Sequence, residues 1–116
     1  MSISILVVDD EPALINIISI LLTDEGYVVH IARDGFEAWQ KIQQAPPDVL
    51  ITDIRMPRLN GHGLIQLVRL NGHRFPVVAI SAHAAKVNLP GVHHPAKPFD
   101  IDVLLATIER LAAENR

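Results

Sequence analysis

Cysteine is absent from this sequence. That removes disulfides and thiol catalysis, and it fits a reducing compartment such as the cytoplasm. No stretch is apolar over enough residues to span a membrane, and the start Met1-Ser-Ile-Ser carries no basic leader, so neither a signal peptide nor a membrane contact is expected. Basic tracts are missing too. Lys and Arg number 10 against 13 Asp and Glu, for a formal net charge of −3, so nucleic acid is not an expected partner. There is no repeat, low-complexity tract or linker. A chain of 116 residues builds one core and not two. The expectation is a single domain over residues 1–116 with no output domain in this chain.

Five short runs read as strands along the chain, and four of them lead to a candidate functional residue. Ile3–Val8 is rich in β-branched residues and reads as a strand covered on both faces; Asp9 and Asp10 follow it. Tyr27–Ala32 reads as a second strand. Asp48–Thr52 reads as a third and delivers Asp53, with Pro57 four residues on to force a turn. Val77–Ile80 leads to Ser81. A last strand is expected around Val92–Ala96, just before Lys97. Pro95 lacks an amide donor, which places that strand at a sheet edge.

Helical spacing fills the intervals. Pro12 suits a first helical turn, Leu14, Ile18, Leu21 and Leu22 mark an inner face, and Gly26 stops the helix. Ile15 and Ile20 then fall on the wet side, a lead to a docking patch. Asp34 is placed to cap a helix whose inner face is Ala38, Trp39 and Ile42. A third helix starts near Asn60 or Gly61 and buries Leu64, Ile65 and Val68. Gly63 weakens its first turn by about 1 kcal/mol, which predicts fraying there. Asp100 is expected to cap a last helix that buries Leu104, Ile108 and Leu111. Strands alternating with helices predict an α/β fold with a parallel sheet. Right-handed crossovers place helices on both faces. One crossover is short: His83 to Gly91 leaves about ten residues, with Pro90 and Gly91 inside them, against the ten to twelve or more such a unit needs. A turn or irregular chain is predicted there.

The strand ends carry the chemistry. If Asp9, Asp10 and Asp53 converge, unit charges about 4 Å apart repel by roughly 4 kcal/mol at an effective dielectric of 20. Such a cluster needs protons or a cation. Carboxylate oxygens without His or Cys favour Mg²⁺ or Mn²⁺ over zinc. Lys97 offers a point charge and Ser81 a hydroxyl to phosphate oxygens, leaving Asp53 as a nucleophile able to accept a phosphoryl group as a mixed anhydride. Any one of these residues alone is an ordinary cap or turn former. It is the joint pattern, repeated at successive strand ends, that points to function. His93 and His94 are neighbours on a strand and so face opposite ways, which excludes one ion shared between them.

These residues resemble a family. Ile5-Leu-Val-Val-Asp-Asp-Glu-Pro12, Asp34-Gly35, Asp48-Val-Leu-Ile-Thr-Asp-Ile-Arg-Met-Pro57, Asn60-Gly61, Pro76–Ala82 and Lys97-Pro-Phe-Asp100 are similar to the response-regulator receiver domain over essentially the whole chain. The resemblance implies a doubly wound, flavodoxin-like, five-stranded parallel sheet of order 2-1-3-4-5. It implies Asp53 as phosphoacceptor and Asp10 and Asp53 as direct Mg²⁺ ligands. The backbone carbonyl of Arg55 would be a third ligand, with Asp9 acting mainly through water. Ser81 would swing toward the phosphoryl group, Lys97 would bind it, and Lys97-Pro98 would be a cis peptide. The donor would be a phosphohistidine on a sensor histidine kinase or a histidine phosphotransfer protein. Output would be a change of protein contacts with a downstream partner, so the chain is not read as an enzyme.

Two departures stand out. The segment before the last strand is about two turns short of the family's fourth helix, so that helix is expected to be short or missing. The sheet face near Val77–Ile80 would then be undercovered, which suggests a partner or a second copy of the chain over it. His94 takes the place of the usual Tyr or Phe switch. The rival to a switch is a receiver-like interaction module with a vestigial site. An Asp-x-Asp phosphohydrolase would need a carboxylate where Arg55 stands, and a flavin-binding domain would need a phosphate loop that is not there.

Overall fold

The computed structural model describes residues 3–54, 59–80, 91–93 and 101–114. In chain order the described elements are β1 (Ser4–Val8), α1 (Pro12–Asp24), β2 (Val28–Ala32), α2 (Gly35–Gln44), β3 (Val49–Thr52), α3 (Gly61–Leu70), β4 (Val77–Ala79), β5 (Val92–His93) and α4 (Ile101–Glu114). The strands form one parallel sheet of order β2-β1-β3-β4-β5, the flavodoxin-like arrangement. β1 and β3 lie side by side with Val8 opposite Thr52.

Both faces of the sheet are covered, which is why its strands read as continuous apolar runs. On one face Leu6, Val8, Leu50 and Val77 pack against Ala38 and Ile42 of α2 and Leu64, Ile65 and Val68 of α3. On the other, Ile5, Val7, Val49, Ile51 and Val78 meet Ile18 and Leu22 of α1 and Leu104, Ile108 and Leu111 of α4. Side chains alternate between faces along each strand, so consecutive residues serve opposite cores.

Most of the expected local devices are present. Pro12 opens α1. Asp34 Oδ1 accepts the Glu37 amide at 2.8 Å and caps α2. Gly72, with φ of 85°, follows the end of α3. Among the described residues β5 is the edge strand, paired to β4. The rest of that predicted strand, Pro95, the Asp100 cap and nearly all of the short segment before the strand lie outside the described residues.

Three expectations need correction. Ile15 is buried, at 3% exposure, while Ile17 and Ile20 are the exposed pair at 53% and 67%. The helix has rotated relative to the face read from Leu14 and Leu21. Almost every turn of α1 is apolar, so spacing alone defines its buried stripe poorly. The first turn of α3 is not frayed: Asn60 Oδ1 accepts the Gly63 amide at 2.8 Å and closes it. Finally, Val77, Val78 and Ala79 are fully buried and Ile80 is half-buried, so this strand is not undercovered; the segment in place of the fourth helix, through which a second copy was expected to pair, lies outside the described residues.

Candidate functional site

Parallel pairing brings the carboxyl ends of β1 and β3 together. The ladder continues one residue past each strand: the Asp9 amide donates to the Ala32 carbonyl at 3.1 Å, and the Asp53 amide to the Val8 carbonyl at 2.9 Å. Asp9 and Asp53 are thereby held by backbone bonds just where the sheet stops. The chain leaving β1 turns into α1, and Pro12 has no amide to satisfy at the first helical position. That short turn carries Asp10 beside them.

The three acids do converge. One carboxylate oxygen from each of Asp9, Asp10 and Asp53 lies within 4.8 Å of the others. Asp9 is buried at 1% exposure, Asp53 is half-buried and Asp10 is exposed, so the cluster runs from the protein interior out to solvent. Asp9 Oδ1 accepts the Glu11 amide at 2.9 Å. Its other oxygen, Oδ2, is buried without a hydrogen-bond partner among the described residues. Burial pushes the Asp9 carboxyl up from 3.8 to about 6; the Glu11 amide opposes this, and the charges of Asp53 and Asp10 add to it.

Beneath the cluster, buried Thr52 donates its hydroxyl to the Asp53 carbonyl at 2.8 Å, and the Ile80 amide donates to the Thr52 carbonyl at 3.1 Å. The Asp53 backbone is thus tied to β1 on one side and, through Thr52, to the end of β4 on the other. Thr52 went unremarked in the sequence because a strand-end Thr carries no signal of its own.

This donor set suits a hard divalent cation. It is all oxygen, it is acidic, and its buried member has an oxygen with no hydrogen-bond partner among the described residues, a position that a metal-bound water fills well. Without a cation, unit charges at this spacing repel by about 3 kcal/mol per pair at an effective dielectric of 20. Of the other residues singled out from the sequence, Arg55, Ser81, His94, Lys97 and Pro98 lie outside the described residues.

With this geometry in place, similarity to known proteins settles the family. The response regulator receiver domain matches residues 5–109. The chain belongs to that family. The response regulator MprA of Mycobacterium ulcerans is 34% identical over 122 residues, spanning 100% of this chain and 53% of MprA. The receiver domain of the Francisella response regulator 1452 superposes with a TM-score of 0.91 at 27% identity, covering 99% of this chain and 100% of that one. The receiver domain of the sensor histidine kinase PA1611 from Pseudomonas aeruginosa, solved with a magnesium ion coordinated in its active-site cleft, gives a TM-score of 0.84 at 27% identity over 97% of this receiver and 99% of that chain. The chain thus spans about half the length of MprA. Receiver domains are signalling modules of two-component systems, and Mg²⁺ binding at an acidic pocket is general among them.

Proposed function

We propose that this receiver accepts a phosphoryl group on Asp53 and signals through the protein contacts that change as a result. The observation that carries the reading is the convergence of Asp9, Asp10 and Asp53 at two adjacent strand ends, with a buried Asp9 oxygen that has no hydrogen-bond partner among the described residues. Asp53 is half-buried and central, held by its backbone, and its carboxylate is the candidate nucleophile. A carboxylate oxygen of Asp53 forms a bond to phosphorus as the bond from phosphorus to the donor imidazole nitrogen breaks. The imidazole leaves neutral once it holds a proton on one nitrogen, and the product is an acyl phosphate.

Asp10 and Asp53, with the Arg55 carbonyl, would hold Mg²⁺ or Mn²⁺, and Asp9 would reach it through water. When bound, the ion supplies positive charge for the transferring oxygens. Lys97 would contribute a second positive charge and Ser81 a hydroxyl, with His94 in the switch position and the Lys97-Pro98 peptide cis. The phosphoryl donor is a phosphohistidine of a sensor histidine kinase or phosphotransfer protein. The exposed Ile17 and Ile20 of α1 support docking of that partner on this helix.

Incubation with acetyl phosphate and Mg²⁺ tests the reading. Wild type should gain a hydroxylamine-sensitive label, and Asp53→Asn should gain none. A persistent label in Asp53→Asn would move the acceptor elsewhere. No spectral or stability response of wild type to Mg²⁺ with beryllofluoride would favour a module that works through a fixed surface.

A further inference from the structure

Two glycines press directly on the two ends of the connection between β3 and α3. Gly61 meets its beginning: the Gly61 amide donates to the Ile54 carbonyl at 3.0 Å. A Cβ on Gly61 would overlap the Asp53 carbonyl oxygen and lie 2.8 Å from Ile54 Cα. Gly35 meets its end. This residue opens α2, immediately after the Asp34 cap, and its amide donates to the Leu59 carbonyl at 3.1 Å. A Cβ on Gly35 would overlap that same carbonyl oxygen and lie 2.7 Å from Leu59 Cβ and 2.8 Å from Leu59 Cγ. Real Cβ atoms do not approach backbone this closely, so any side chain at position 35 must push Leu59 away.

Leu59 cannot move alone. Asn60, the next residue, caps α3, and Gly61 follows with its backbone against Asp53. Displacement at Leu59 therefore passes through one residue to the seat of the Asp53 peptide. That peptide is otherwise fixed by the Val8 carbonyl and the Thr52 hydroxyl. We propose that Gly35, on a helix that contributes no acid to the cluster, is a positioning residue for the phosphoacceptor. Its bare backbone seats the Leu59 carbonyl on the first turn of α2 and so sets the orientation of Asp53. The proposal rests on Asp53 being the acceptor. Misplacing a reacting group by about 1 Å can cost on the order of a hundredfold in rate.

Gly35→Ala tests this, with Gly26→Ala as the control. Gly26 has a φ of 95° and nothing within 4 Å of its missing Cβ, so a substitution there strains the backbone without touching the connection. It precedes β2, at the end of the sheet away from the acids. At matched folded fraction, Gly35→Ala should take label from acetyl phosphate at least tenfold more slowly than wild type. Its Asp53, Ile54 and Gly61 amide resonances should shift. Gly26→Ala should label at the wild-type rate with those resonances unmoved. A Gly35→Ala protein that labels like wild type, or is slowed no more than Gly26→Ala, overturns the proposal. Should Gly35→Ala fail to fold, an amide-to-ester replacement at Gly35, which removes the N–H given to the Leu59 carbonyl, decides: slowed labelling with shifted resonances supports the proposal, and an unchanged rate overturns it. If wild type itself takes no label, the phosphoacceptor reading falls. The resonances of Gly35→Ala then judge Gly35 alone, and unmoved resonances overturn its role.

Discussion

At position 9 a carboxyl group is buried against its own interest. Its second oxygen has no partner among the described residues, two other acids are near, and its affinity for a proton is pushed up to about 6. The raised value has a defined sign. Between about pH 4 and pH 6 the folded, metal-free protein holds a proton on Asp9 that the unfolded chain has released, so stability is full below pH 4 and falls as pH rises through 6. Asp9→Asn removes this titration. Urea unfolding in EDTA at pH 7 should show the variant more stable than wild type by up to about 3 kcal/mol, with the gap closing toward pH 4. A variant less stable than wild type at pH 7 would mean that Asp9 is stabilised by contacts and not strained by its neighbours. Asp9, Asp10 and Asp53 could be singled out in the sequence because each stands within two residues of the end of an apolar run, Val8 or Ile51. Thr52 and Gly35 could not, since what they do depends on which backbone lies against them, and spacing along a chain does not report that.

Among the elements, α1 shows most clearly where sequence patterning stops working. Leu14, Ile15, Ile17, Ile18, Ile20, Leu21 and Leu22 leave almost no polar face to read against. The structure buries Ile15, Ile18 and Leu22 as an i, i+3, i+7 stripe and leaves Ile17 and Ile20 in solvent. By contrast α2 and α4 have clear polar faces, and there the expected inner residues Ala38, Ile42, Leu104, Ile108 and Leu111 are buried, while Trp39, also expected inside, is half-buried against the edge of the same core. Since Ile20 is 67% exposed, Ile20→Glu should leave stability within about 0.5 kcal/mol of wild type. Labelling by acetyl phosphate should be unchanged, while phosphotransfer from the cognate kinase drops about tenfold or more. Equal transfer by wild type and variant would remove α1 as the docking face.

On the scale of the whole molecule, the alternation of strands and helices dictated a parallel sheet with helices on both sides, and the two cores follow from it. The strand order β2-β1-β3-β4-β5 was implied by family resemblance, because hydropathy does not distinguish one order from another. That order is what makes β1 and β3 neighbours and converts acids 43 or 44 residues apart in sequence into a single cluster. Folding therefore works against charge repulsion, and a divalent ion should relieve it. At Mg²⁺ tenfold above its dissociation constant the fold should gain about 1.4 kcal/mol, read as a rise in Tm. Asp10→Asn should lose most of that rise while unfolding cooperatively without the ion. A Tm indifferent to Mg²⁺ in wild type would show that the cluster holds no metal.

The most direct test of the phosphoacceptor is chemical mapping. After phosphorylation in Mg²⁺, borohydride reduces an aspartyl phosphate to homoserine, and peptide mass spectrometry locates it. The account predicts homoserine at position 53, formed only when both phosphoryl donor and Mg²⁺ are supplied. Homoserine at position 9 or 10, or none at any position in fully folded protein, would contradict it.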